Sequence, residues 1–164
     1  MAYDVCTDLL ECNLQTLPSA AGALVTTLLR LRADRLLDDI VRRRIRQDLL
    51  TEWGVRQGQH VFGVSTPHAY LRSAARFITA DVSARVRADT LLLAGARDHY
   101  VPVHQLTDQI ATLTNARSVT ARVFTEPEHA QAHCQYGNLP LAVQVILDWL
   151  DGLDERDHRQ GPPS

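Results

Sequence analysis

The chain has 164 residues, of which 45% are hydrophobic and 22% charged, and its 17 basic and 19 acidic groups leave a formal net charge of −2. This composition is ordinary for a folded protein of about one domain and argues against intrinsic disorder. The balanced charge removes the electrostatic reason to expect a nucleic acid or an anionic membrane as partner. All 17 basic residues are arginine, which excludes Schiff-base chemistry on lysine and a P-loop lysine.

The cysteines and the absence of targeting signals indicate the compartment. Cys6, Cys12 and Cys134 are too few and too scattered for a disulfide framework or a zinc knuckle. No charged start followed by an apolar stretch marks a signal peptide, and no apolar run approaches the ~18 residues of a membrane span. We therefore expect a cytoplasmic protein with no membrane partner.

Residues 1–80 are predicted to form a helical segment. Apolar residues recur at helical spacing between residues 20 and 50, where Ser19 is a candidate cap and a break near residues 32–34 is an alternative to one long helix. A glycine-bounded turn is predicted over residues 53–58, and Thr66-Pro67 is typical of a helix start. The arginines at positions 42, 43, 44 and 46 favour a solvated helix face over a nucleic-acid patch, because Asp38 and Asp39 lie four residues before Arg42 and Arg43 and can pair with them.

Residues 81–153 are predicted to alternate between strand and helix. The strands are expected over residues 90–95 and 119–124, with a helix over 103–113 between them and a closing amphipathic helix over 141–150. Two strands joined through a helix predict a parallel βαβ unit and an α/β fold. Residues 154–164 are predicted to be a disordered tail.

Two residues just past the predicted strands are candidates for chemistry. Asp98 follows the first strand and His133 follows the second after a loop. The carboxyl ends of parallel strands meet at one edge of a sheet, where a carboxylate can fix the tautomer of an imidazole and stabilise its protonated form. The structural alternatives are a turn or cap role for Asp98 and a backbone-bonded loop histidine at position 133.

The segment Leu-Leu-Leu-Ala-Gly-Ala-Arg-Asp-His-Tyr-Val-Pro at residues 91–102 resembles the acid-bearing strand and loop of the α/β-hydrolase superfamily. The segment His-Cys-Gln-Tyr-Gly-Asn at residues 133–138, and the segment 53–70, resemble a subgroup of serine hydrolases that carries a helical lid. The resemblance implies that Asp98 is the triad acid and His133 the general base, with no cofactor and no metal. It also implies a partial α/β-hydrolase fold, in which a helical lid precedes two parallel strands with flanking helices.

The chain departs from this family at the nucleophile. No Gly-x-Ser-x-Gly occurs, and Gly63-Val64-Ser65 fails the pattern because position 67 is proline. The resemblance is therefore to the C-terminal part of such an enzyme, which we expect to be inactive alone. Completed by an N-terminal half, it would act on a small-molecule ester, amide or ketone-type substrate.

Two other functions remain open from the sequence. One is a non-catalytic interaction module or pseudoenzyme that associates, with itself or with another chain, through the open edge of the strand at 90–95. The other is a metal site built from His99, His104, His129 and His133, in which two histidines recur at helical spacing. Alanine at position 130 departs from the His-Glu-x-x-His pattern of zinc proteases.

Overall fold

The computed structural model describes the backbone of residues 1–160 and the side chains of all of these except 157, 159 and 160. The chain divides into two compact units. One unit, here called the helical unit, is Asp8–Ile78. The other, the sheet unit, joins Met1–Thr7 to the chain from Thr79 onward. The first seven residues, predicted as part of the helical segment, therefore belong with the sheet.

The helical unit contains five α-helices. They are α1 (Leu9–Gln15), α2 (Ser19–Arg30), α3 (Asp34–Ile45), α4 (Leu49–Phe62) and α5 (Pro67–Ala74). Their apolar faces enclose one core, whose buried residues are Val25, Leu28, Leu37, Val41, Val55, Tyr70, Leu71 and Ala74. The helical spacing read from the sequence is thus explained by packing of amphipathic faces.

Local signals decide where these helices begin and end. The break between α2 and α3 is present, and α5 begins as predicted, with Thr66 Oγ1 accepting from Ala69 N at 3.4 Å. The predicted cap at Ser19 is wrong, because Ser19 is the first residue of α2 and no side chain caps that end. The turn predicted over residues 53–58 is also wrong: α4 continues through it, from a cap at Asp48 to a left-handed Gly63.

The sheet unit is a mixed α/β structure with three parallel strands in the order β1-β2-β3. The strands are β1 (Ala2–Tyr3), β2 (Asp89–Gly95) and β3 (Ser118–Phe124), and the helices are α6 (Ala80–Ser83), α7 (His104–Thr112) and α8 (Leu139–Gln160). Strands β2 and β3 pair along their full length, from Asp89 opposite Ser118 to Gly95 opposite Phe124. The two predicted strands and the helix between them are confirmed.

Alternation along β2 divides the core between the two faces of the sheet. Leu92 and Ala94 pack with Leu106 of α7 on one face, whereas Leu91 and Leu93 pack with Ala142 of α8 on the other. Because both faces are covered, β2 is a continuous apolar run rather than an alternating one.

Two features of the sheet unit differ from the sequence-based expectation. The prediction of two strands is wrong, since β1 adds a third that pairs Ala2 with Leu92 and Tyr3 with Leu93. A strand of two residues is too short to produce a periodic pattern. The prediction of a disordered tail is also wrong for residues 154–160, which extend α8 to Gln160. Charged residues do not prevent this, because they remain solvated on an exposed helix. The rest of the predicted tail, residues 161–164, lies outside the described residues.

Among residues 1–160, no helix combines the length and the apolar character needed to cross a bilayer.

Candidate functional site

Asp98 lies in the loop after β2, and backbone groups fix its carboxylate. Oδ1 accepts from the amides of Tyr100 and Val101, at 2.7 and 3.0 Å. This is the turn role that the sequence offered as the structural alternative. The side chain is only 2% exposed. One carboxylate oxygen is therefore hydrogen-bonded within the turn, and the other contacts a second partner.

That second partner is His133, which follows β3. Its Nδ1 lies 2.8 Å from Asp98 Oδ2. A carboxylate accepts hydrogen bonds, so in the neutral imidazole Nδ1 carries the proton and Nε2 presents a lone pair. Among the described residues Nε2 has no hydrogen-bond partner, and the side chain is 33% exposed. The two sequence candidates are thus brought together, with the basic nitrogen of the imidazole facing away from the acid.

Close backbone approach holds the loop of His133 against the end of β2. Arg97 N donates to Gln131 O at 2.9 Å, and a Cβ placed on Gly95 would lie 2.5 Å from the same oxygen. A Cβ on Gly137 would likewise collide with His129 O. These two glycines allow the loop to fold over the sheet edge and to carry His133 to Asp98.

Aromatic rings restrict the imidazole from the side. The rings of Tyr100 and His99 meet that of His133 edge-on, with centroids 5.6 and 5.9 Å apart. Edge-to-face packing of this kind favours one ring orientation over rotation about the side chain.

A second acidic residue, Asp4, belongs to the same site and was missed by the sequence reasoning. It follows β1 with a left-handed backbone (φ 51°), and its side chain is 2% exposed. Oδ2 lies 3.3 Å from His133 Nδ1 and accepts from Cys134 N, while Oδ1 accepts from Gln135 Nε2 at 2.8 Å. Nothing in the sequence signals this residue, because the strand that positions it has no pattern of its own.

Cys134 completes the cluster around His133. It has a left-handed backbone (φ 50°), and although the residue is exposed as a whole, partial desolvation raises the pKa of its thiol. The nearby carboxylates of Asp4 and Asp98 raise that pKa further, as does the hydrogen bond between the thiol and Asp4. Cys134 is therefore a protonated thiol near neutral pH, unlike the activated thiolates of cysteine nucleophiles.

The metal site expected from four histidines is not formed by the described residues. The group of three metal-ligating side chains that they do form is Asp4, His133 and Cys134, whose ligand atoms lie within 4.8 Å of one another. Of the four predicted histidines, only His133 takes part.

The helical unit contains a second aspartate–histidine pair, which the sequence reasoning also missed. His68 Nδ1 lies 3.0 Å from Asp38 Oδ2, and His68 N donates to Asp38 Oδ1 at 2.9 Å. Its Nε2 faces Thr66 Oγ1 at 3.5 Å and Asp34 Oδ2 at 3.9 Å. Since both ring nitrogens have partners, this pair joins α3 to α5 and leaves no free base.

The described serines of the sheet unit are engaged elsewhere. Ser83 Oγ donates to Thr79 O at 2.7 Å, and Ser118 Oγ bonds to Asp89. Ser65, in the helical unit, lies between α4 and α5 and lines a shallow depression together with His60. Among the described residues, no serine is hydrogen-bonded to His133.

Comparison with known proteins gives no relatives: no protein-family model matches the chain, and no match is found among curated proteins or solved structures.

Proposed function

We propose that this chain supplies the acid and the histidine of a serine-hydrolase catalytic triad, with the nucleophile contributed by polypeptide outside these 164 residues. The observation that carries the proposal is the hydrogen bond of 2.8 Å between His133 Nδ1 and Asp98 Oδ2. Asp98 is held by two backbone amides, and Nε2 of His133 is free among the described residues. The pair lies beyond the carboxyl ends of β2 and β3, where open parallel sheets carry their working residues.

In the proposed reaction His133 acts as a general base. Its Nε2 takes the proton of a serine hydroxyl as the serine oxygen attacks the carbonyl carbon of an ester, amide or ketone-type substrate. Asp98 stabilises the resulting imidazolium through Nδ1–H without taking up the proton itself. His133 then gives the proton to the leaving group as the bond between that group and the carbonyl carbon breaks. Water, deprotonated by the same imidazole, next attacks the acyl-serine, and His133 returns the proton to the serine oxygen as the acid product leaves.

The arrangement of the sheet suggests where the missing serine would enter. Among the described residues, strand β1 lies at one edge of the sheet and has β2 as its single partner. A further parallel strand beside β1 would end at the same edge of the sheet as Asp4, Asp98 and His133. The donors that stabilise the oxyanion would accompany that serine, because one of them is the amide that follows the nucleophile.

Activity-based labelling tests the proposal. The chain is expressed alone and together with the polypeptide encoded directly upstream of it, and each sample is treated with a fluorescent fluorophosphonate. We expect no labelling of the chain alone and labelling of the upstream polypeptide when both are present. His133→Asn should slow that labelling by on the order of 10³-fold, the typical contribution of a positioned base.

The matched control is His104→Asn, which removes an exposed histidine of α7 and should leave labelling unchanged. Absence of labelling in the combined sample would overturn the proposal. Equal labelling of the His133→Asn and unsubstituted proteins would overturn it too, because the serine would then be activated by another group.

The second candidate function is the interaction module. It is favoured by the edge of β2 that faces β1, where strand pairing within the described part of the chain is limited to Leu92 and Leu93. Unpaired strand edges promote association between chains. Light scattering across a concentration series tests this function: a mass that rises above 18.3 kDa supports it, and a constant monomer mass argues against self-association.

A further inference from the structure

We propose that Asp4, His133 and Cys134 form a binding site for a thiophilic divalent cation, with Zn²⁺ as the expected ion. This inference goes beyond the proposed hydrolase function and does not rest on it. The three residues offer an oxygen, a nitrogen and a sulfur ligand, and the three atoms lie within 4.8 Å of one another. A mixed set of carboxylate, imidazole and thiolate is suited to zinc rather than to magnesium or calcium, which prefer oxygen ligands alone.

The separations fit tetrahedral coordination with small movements. With zinc–ligand bonds of about 2.0 to 2.3 Å, nitrogen and oxygen ligands of a tetrahedral site lie about 3.4 Å apart. Asp4 Oδ2 and His133 Nδ1 are 3.3 Å apart. The sulfur of Cys134 lies within 4.8 Å of both atoms, so a modest approach would complete a triangle of ligands. The fourth position of the ion would be left to water.

Two features of the cluster favour a bound cation. Two carboxylates, those of Asp4 and Asp98, both approach the same nitrogen, His133 Nδ1. The side chain of Gln135 is fully buried and donates through Nε2 to Asp4, yet its Oε1 has no hydrogen-bond partner among the described residues. A buried acceptor without a donor is costly, and a water bound to the cation would be a donor for it.

Binding of the ion has a defined proton balance. Cys134 loses its thiol proton to solvent and coordinates as the thiolate. The proton on His133 Nδ1 is replaced by the metal, so the neutral imidazole carries its proton on Nε2. Asp98 then loses its hydrogen bond to Nδ1 and remains beside the ion as an outer carboxylate. The metal-bound form and the proton-relay form of His133 are therefore mutually exclusive.

The test uses the reduced, metal-stripped full chain with Co²⁺ and Zn²⁺ as probes. We expect one Co²⁺ per chain with thiolate-to-cobalt charge-transfer absorption in the near ultraviolet, displaced by Zn²⁺. Cys134→Ser should abolish that absorption, and both Cys134→Ser and His133→Gln should weaken Zn²⁺ binding at least tenfold in competition with a chromogenic chelator. Substitution of residues that only support a metal ligand weakens metal binding by about tenfold or more, so removal of a direct ligand should weaken it by at least as much.

Cys6→Ser is the matched control, as it removes another thiol of the sheet unit and should retain the absorption. Cobalt bound without thiolate absorption, or Zn²⁺ affinity unchanged in Cys134→Ser, would overturn the proposal. Asp98→Asn separates the two proposals, because it should retain the cobalt absorption while it abolishes the serine labelling described above. If the chain shows the cobalt absorption but the combined sample is not labelled, the hydrolase function is rejected and the metal site is not.

Discussion

Two histidines in this chain contact a buried aspartate through Nδ1, and their second nitrogen distinguishes them. Nε2 of His68 faces Thr66 and Asp34, so both ring nitrogens of that imidazole have partners. Nε2 of His133 has no partner among the described residues. An aspartate–histidine hydrogen bond alone therefore does not mark a catalytic site. The free lone pair, at the edge of a parallel sheet, is the feature on which the proposed role of the Asp98–His133 pair in proton transfer rests.

Asp89 is the residue that fixes the opposite end of the same two strands. Its carboxylate bonds to Arg117 and Ser118, and these hydrogen bonds, with the charge of Arg117, hold its pKa below the ordinary value. It lies opposite Ser118 at the start of the seven-residue pairing of β2 with β3. Its interactions therefore help to set the register that brings Asp98 and His133 to the same edge.

We predict that Asp89 makes folding stability sensitive to acid. Because its pKa is lowered in the folded state, its contribution to stability is fully present above the ordinary carboxylate pKa near ~4 and is lost as the pH falls through the folded-state pKa. Asp89→Asn should lower the free energy of unfolding at pH 7 and remove part of the loss seen on acidification. Denaturant titrations from pH 7 to pH 3 measure both effects.

The control for this prediction is Asp151→Asn, which changes an exposed carboxylate of α8. It should leave the pH profile of stability close to that of the unsubstituted chain. If Asp89→Asn and Asp151→Asn have the same profile, Asp89 makes no special contribution to the register of the sheet.

At the level of elements, the sequence predicts the helices and strands that have a recognisable pattern of apolar residues, and it misses those that have none. Strands β2 and β3 and helix α7 are apolar runs or amphipathic patterns long enough to be recognised, and they carry Asp98 and His133 to their places. Strand β1 is two residues long, so neither it nor Asp4 leaves a signal. The two glycines of α4 predict a turn, but the caps and packing of the helix override their effect.

Those two glycines lie in different surroundings on α4. A Cβ on Gly54 would meet nothing within 4 Å, whereas one on Gly58 would overlap the ring of Tyr70. That ring is buried, and its hydroxyl bonds to Asn13, so it has little freedom to move. Gly54 therefore lowers the stability of the helix without a packing reason, whereas Gly58 is needed for the close contact between α4 and α5.

Alanine substitutions at the two positions should therefore have opposite effects. Gly54→Ala should raise the free energy of unfolding by about 0.5–1 kcal/mol, because alanine is the better helix former. Gly58→Ala should lower it by about 1–3 kcal/mol through overpacking against Tyr70. Chemical denaturation followed by circular dichroism measures both, and stabilisation by both substitutions would contradict the close packing of α4 on α5.

At the scale of the whole molecule, the helical unit is an insertion in the chain of the sheet unit. Thr79 N donates to Thr7 O at 3.0 Å, so the two segments of the sheet unit meet where the insertion leaves and returns. Within the helical unit, Leu9 N donates to Phe77 O at 3.2 Å, which holds the two ends of the insertion together. Each unit encloses its own hydrophobic residues. Insertions with adjacent ends are those that a host domain tolerates best.

We predict that the sheet unit folds without the insertion. Replacing residues 8–78 with a short Gly-Ser linker between Thr7 and Thr79 should retain β-sheet and helix signals in circular dichroism, with a cooperative thermal transition. The Nδ1 proton of His133, bonded to Asp98, should give a low-field resonance in the NMR spectra of both the full chain and the shortened one.

A variant of the shortened chain with Leu93→Asp provides the control, because Leu93 is fully buried between the sheet and α8. A buried, unpaired carboxylate should abolish both the transition and the resonance. If the shortened chain lacks a cooperative transition while the full chain has one, the helical unit is needed to fold the sheet. If the shortened chain folds but lacks the low-field resonance of His133, the Asp98–His133 pair does not form from the sheet unit alone. The insertion is then needed to orient the imidazole.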